Sequence, residues 1–211
     1  MDICALIMAR GGSKRVPNKN IRKFGKESSN NLLKHKIECL KKVDGLDSIY
    51  VNSESKKILT LADSYGVNTI QRDIEYATDD VSINKVYRNL AESVKHKHIY
   101  FVHITSPLVS IKNMQMALDS YKTFVFGSEY DSLATCTKIH KFIWSDKDIP
   151  VNYEPNKMPR SQDLPDYYVL NFAINILPRE LMIEKENIIC LLYTSPSPRD
   201  VEESRMPSSA W

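Results

Sequence analysis

Five short runs of strand-forming residues, separated by segments of helical spacing, constrain the fold of this chain more than any other feature. The runs are DICALIM (2–8), DSIYVN (47–52), VNTIQ (67–71), HIYFVHI (98–104) and DSLATCT (131–137). Between them, NLLKHKIECLKKV places Leu32, Leu33, Ile37 and Leu40 on one helical face, and INKVYRNLAESVK does the same with Val86, Leu90 and Val94. In SESKKILTLADSYG, Ser53 or Ser55 is a candidate N-cap and Gly66 a left-handed stop; Ser110 can cap IKNMQMALDSYK. Short strands alternating with helices predict βαβ units: an α/β, Rossmann-like, doubly wound, mostly parallel sheet.

Later the rhythm changes. Tyr167 to Leu177 reads as a long strand ended by Pro178, followed by a helix over RELMIEKEN. This predicts a small antiparallel excursion late in the chain. Residues 1–190 are expected to form a single domain, with about 140–177 as the segment available for dimerisation. The stretch CLLYTSPSPRDVEESRMPSSAW has neither helical nor strand period. Residues 191–211 are therefore expected to lie outside the fold.

The net charge of +3 is small, but its distribution is uneven. Arg10, Lys14, Arg15, Lys19, Arg22, Lys23 and Lys26 occur with no Asp or Glu among them, directly after the first strand. In an open α/β sheet, ligands bind beyond the carboxyl ends of the strands. There, the paired Gly11 and Gly12 allow a tight turn whose N–H groups can approach an anion, and Arg10 with Lys14 or Lys19 adds charge-assisted bonds. The spacing is neither Walker A nor GxGxxG. A nucleic-acid role predicts aromatic residues interleaved with the cations, and residues 10–23 contain none. The four cysteines, Cys4, Cys39, Cys136 and Cys190, form no CxxC pair and suit reduced thiols of a cytoplasmic protein. The apolar N-terminus lacks a signal-peptide pattern, and no run is long enough to span a bilayer.

The stretch ARGGSKRVPNKNI resembles the N-terminal signature of the acylneuraminate cytidylyltransferases, the CMP-sialic acid synthetases. The resemblance continues through YVNSES, EYATDDVS, VHITSPLVS and MPRSQDLPDYYVLNFAINI, to about Leu177. It implies transfer of CMP from CTP to an acidic nine-carbon sugar, with Mg²⁺ as cofactor and a homodimer as the assembly. It further implies that Arg10 and Lys19 act on the triphosphate as the catalytic cations. Gly11, Gly12, Ser13, Asn20 and Ser82 would bind the nucleotide. His103, Thr105, Ser106, Arg160, Gln162 and Asn171 would face the sugar. For Arg160 a surface ion pair, and for His103 a structural hydrogen bond, are the competing readings. The turn ITSP stands where relatives that activate Kdo carry Gly-Asp-Glu-Pro, which favours a sialic-type acceptor.

Several positions depart from the family pattern. Asn52 and Glu54 alter a Ser-Thr-Asp strand end, His103 and Ile104 replace Gln and Pro, Val109 replaces Arg, and Phe172 replaces Gly. The family's C-terminal aspartate pair, which holds Mg²⁺, has no counterpart after Pro178. Asp200, Glu202 and Glu203 lack its context, so no metal ligands are assigned. A homologue that binds nucleotide or sugar without turnover is the alternative expectation.

Overall fold

The computed structural model describes residues 1–13, 15–24, 30–126 and 130–189. Lys14, Lys26, Cys190 and the 191–211 tail, on which expectations were placed, lie outside the described residues.

The sheet is built from β1 (Ile3–Met8), β2 (Ser48–Ser53), β3 (Asn68–Gln71), β4 (His98–His103), β5 (Leu133–Ile139) and β6 (Tyr167–Pro178), in the order β3-β2-β1-β4-β6-β5. The β1, β2, β3 and β4 pairings are parallel, and β6 runs antiparallel to both β4 and β5. β5 therefore points the same way as β4, and β6 alone is reversed. The chain moves outward from β1 to β3 and then crosses back to β4 on the other side of β1. This reversal makes β1/β4 the topological switch point.

β1 and the interior of β4, residues 99–102, are buried and largely apolar because helices cover both faces of the sheet. Ile3, Ala5 and Ile7 pack on one side with α1 (Leu32–Leu40), α2 (Lys56–Ser64) and α4 (Ile111–Phe124). Cys4 and Leu6 point the other way, toward α3 (Ile83–Glu92) and α5 (Arg179–Lys185). Each fully buried Leu or Ile in these layers contributes roughly 1.5–3 kcal/mol. Caps set the helix starts. The side chains of Asn31, Ser82 and Ser110 accept from the backbone amides of Lys34, Lys85 and Asn113. Ser55 precedes α2 without a side-chain cap bond, and Gly66 beyond it is left-handed at φ 68°. Arg179 closes the end of α3 by donating through Nε to the Ala91 and Val94 carbonyls, groups a helix terminus leaves without partners.

The expected antiparallel excursion is present, and β6 sits between β4 and β5. Residues between β5 and β6 contain an isolated bridge between Trp144 and Pro150 and a single 3-10 turn over Ser161–Asp163.

Candidate active site at the switch point

The loop after β1 leaves the sheet beside the end of β4, because Met8 and His103 are register partners. Two residues beyond these partners lie Arg10 and Thr105, so the basic loop and the 104–109 turn leave neighbouring strands at the same end of the sheet. The loop is tied down at several points. Ala9 N–H donates to the Asn52 carbonyl, the Asn20 side chain donates to the Arg10 carbonyl at 2.9 Å, and Leu33 N–H donates to the Asn20 carbonyl. Asn18 makes the tight reversal with φ 54°, a conformation Asn tolerates better than most residues.

Gly11 is required by close approach, not by an unusual φ. A Cβ there would lie 2.9 Å from Ser55 Cβ and 3.1 Å from Glu54 Oε1. At Gly12 the nearest atom would be Arg10 Nε, 3.9 Å away. The two glycines thus meet different demands. Gly11 N–H donates to Glu54 Oε1 at 2.6 Å, and Glu54 Oε2 accepts from Arg72 Nη2 at 2.8 Å. Both charged side chains are buried, at 7% and 1% exposure. Burial by itself would raise the Glu54 pKa. The Gly11 amide and the Arg72 guanidinium outweigh it and hold the carboxyl below its ordinary value. Glu54 follows β2 and Arg72 follows β3, one step beyond the Ser53–Gln71 pairing. The signal that could have found this pair is a carboxylate and a guanidinium each placed just past a strand end.

Arg10 Nη1 meets Asp79 Oδ1 at 2.9 Å, which brings the 78–82 segment over the loop. Ser82 follows as the N-cap of α3, its Oγ accepting from Lys85 N–H. Lys19 has no ion-pair partner among the described residues. Ser13 donates its N–H to the Gly11 carbonyl, within the turn. Arg10, Gly11, Asn18, Asn20 and Ser55 line a small cleft of about 100 Å³. Asn20 is buried there, and its Oδ1 has no hydrogen-bond partner among the described residues.

On the β4 side, His103 packs edge-on against Phe101 and Phe172, with ring centroids 5.1 and 6.4 Å away. Its buried Nε2 has no partner among the described residues. Burial and then the nearby Lys36 ammonium push its pKa down, so the ring is neutral at pH 7. Thr105 is exposed and Ser106 half-buried. Lys36, which the helical pattern assigns to α1 without distinguishing it from a solvent-facing lysine, is buried at 1% exposure and donates through Nζ to the Ser106 carbonyl at 2.8 Å.

The late segment is internally bonded. Arg160 donates from Nε to Asp163 Oδ2 at 2.7 Å and is largely exposed, and Gln162 is exposed in the same turn. Asn171 Oδ1 accepts from Thr135 Oγ1 at 2.7 Å and from Ala173 N–H, while its Nδ2 donates to Thr137 Oγ1. These bonds span the register shift between Ala134 and Cys136, so the Asn171 side chain braces a bulge. Phe172 adopts φ 55°, a left-handed backbone that suits the Gly it replaces in the family pattern.

The residues present do not fit the implied Mg²⁺ at the cradle. Among the described residues, the carboxylates bonded to the loop are Glu54, with both oxygens engaged, and Asp79, paired with Arg10. A hard dication needs uncommitted oxygen ligands. Asp2, Asp47 and His96 do cluster, but at the opposite end of the strands. There Asp47 accepts from Ile3 N–H, and His96 bonds both Asp2 and Ser48.

An open α/β sheet, reversed at β1/β4 and carrying a tethered basic loop at that point, places the chain among the α/β proteins with a topological switch point. Residues 4–165 match the family Cytidylyltransferase, and the chain belongs to that family. It is 25% identical over 188 residues to N-acylneuraminate cytidylyltransferase A of Danio rerio, covering 85% of this chain and 42% of the relative. It is 30% identical over 131 residues to pseudaminic acid cytidylyltransferase of Campylobacter jejuni, covering 59% of this chain and 53% of the relative. The chain therefore spans about half the length of the curated relatives it matches. The solved structure of CMP:2-keto-3-deoxy-manno-octonic acid synthetase complexed with CTP shares the fold at TM-score 0.62 and 16% identity, covering 85% of this chain and 75% of the other.

Proposed function

We propose that this chain transfers CMP from CTP to a sialic-acid-like nonulosonic acid, releasing pyrophosphate. The observation that carries the reading is the basic loop, braced by Glu54 and Asn20 and opening at the switch point beside the β4 turn. Relatives named for N-acylneuraminate and pseudaminic acid support the acceptor class.

In this reading the acceptor's anomeric hydroxyl attacks the α-phosphorus. The bond to the β-phosphate oxygen breaks, pyrophosphate leaves with the electron pair, and the hydroxyl proton passes to solvent. Arg10 and Lys19 neutralise charge that builds on the phosphate oxygens, Arg10 exchanging Asp79 for phosphate. The Gly12 amide and the Ser13 hydroxyl, rather than the committed amides of Gly11 and Ser13, complete the cradle. Asn20 Oδ1 offers an acceptor to a ligand donor, and Ser82 lies beside the nucleoside as the cap of α3. His103, Thr105, Ser106, Arg160, Gln162 and Asn171 remain the sugar-side candidates. Of these, Arg160 must exchange Asp163 to reach a carboxylate, and Asn171 acts through the bulge it braces. No step is assigned to Mg²⁺.

A second reading, binding without turnover, is favoured by one observation: the carboxylates that reach the loop are already paired. Pyrophosphate release with CTP, a divalent cation and a panel of nonulosonic acids separates the two. Turnover supports transfer, and calorimetric binding without pyrophosphate supports the second reading. We further propose a homodimer through the excursion, where Trp144, Ile149, Val151, Met158 and Val169 expose apolar surface. A monomeric mass in sedimentation at micromolar concentration would exclude it.

A further inference from the structure

Lys36 is out of place in an apolar layer. It sits in α1 between neighbours that face the core, it is 1% exposed, and no carboxylate among the described residues lies within ion-pair distance. Its partner is the Ser106 carbonyl, and the adjacent His35 ring bonds the Pro107 carbonyl at 2.9 Å. Two successive residues of α1 thus grip two successive carbonyls of the turn that ends β4. A hydroxyl or amide could bond a carbonyl without the desolvation penalty of a buried ammonium.

We infer that Lys36 is a positioning residue of the acceptor side: its buried ammonium fixes the 105–107 turn and sets a positive potential beneath it that favours a carboxylate-bearing acceptor. The inference rests on the nonulosonic acid reading above. Charge acts over longer range in a low-dielectric interior than in water, so the lysine need not touch the ligand. The titratable groups facing it are His35 and Cys39 on α1 and His103 on β4. Burial raises the Cys39 thiol, and His103 is held neutral, so neither supplies a counter-charge near pH 7. Burial lowers Lys36 itself to about 8, leaving it mostly charged at pH 7 and neutral well above pH 8.

The test compares the full chain with Lys36→Met, assaying N-acetylneuraminate and CTP separately and following hydrogen exchange of residues 104–110. In the variant, KM for the acidic sugar should rise roughly tenfold while KM for CTP stays within about twofold. In the unmodified protein the sugar KM should climb above pH 8, and in Lys36→Met that climb should be absent. Exchange should quicken at 104–110 and not at 9–13. An unchanged sugar KM, or a CTP KM rising in step with it, overturns the inference. If the unmodified protein turns over no acceptor, the functional reading fails separately. Exchange then decides the role of Lys36: quickening confined to the turn supports its anchoring, and an unchanged pattern overturns it.

Discussion

Gly11 and Gly12 are neighbours in the chain but not in what they must satisfy. Gly11→Ala drives a methyl into Ser55 and Glu54, a clash worth about 1–3 kcal/mol, and displaces the loop. Gly12→Ala meets only an ordinary contact with Arg10 Nε at 3.9 Å and should change stability by less than about 0.5 kcal/mol. Urea denaturation of the two variants checks the contrast, and equal losses would contradict the geometry. Glu54 and Arg72 behave as a unit. Glu54→Ala strands a buried guanidinium and should cost about 3–5 kcal/mol. Adding Arg72→Met should restore most of that stability, while CTP turnover stays low because the Gly11 amide has lost its acceptor. Recovery of turnover in the double variant would show that the carboxylate does not position the loop.

At the scale of elements, β6 holds a strained residue within a strand. Phe172 holds a left-handed backbone in mid-strand, where an L side chain costs about 1–2 kcal/mol. Its ring is also substantially exposed, so little burial is lost on truncation. Phe172→Gly should therefore cost under about 1 kcal/mol, whereas a buried strand Phe loses about 3 or more on truncation. Thermal melts of Phe172→Gly measure this. A large loss would mean that the ring's packing on His103 matters more than the backbone. The elements differ in how far they could be read from sequence. β1 and β4 were legible because central strands are buried on both faces and show as runs dominated by apolar residues, interrupted in β4 only by its terminal histidines. The place of β6 between β4 and β5 was not, since patterning encodes burial and not the identity of a strand's neighbour.

For the whole molecule, the switch point explains why the site's cations were legible and their supports were not. A charge run after an apolar strand is a local pattern, so Arg10 and Lys19 stand out in one sequence. Glu54 and Arg72 meet only through the β2–β3 register, and Lys36 reaches Ser106 across 70 positions. Spacing along α1 cannot distinguish a buried lysine from a solvated one. The motif proposed for the sugar side is legible as words, yet Asn171 spends its side chain on the β5 bulge and Arg160 on Asp163.

The central claim is that the tethered basic loop grips a triphosphate for transfer to an acidic sugar. Pyrophosphate release from CTP, measured over several nonulosonic acids for the unmodified chain and Arg10→Ala, tests it most directly. The account predicts release with at least one acceptor and a fall of about 100-fold or more in the variant. No release with any acceptor, or an Arg10→Ala rate matching the unmodified protein, would contradict it.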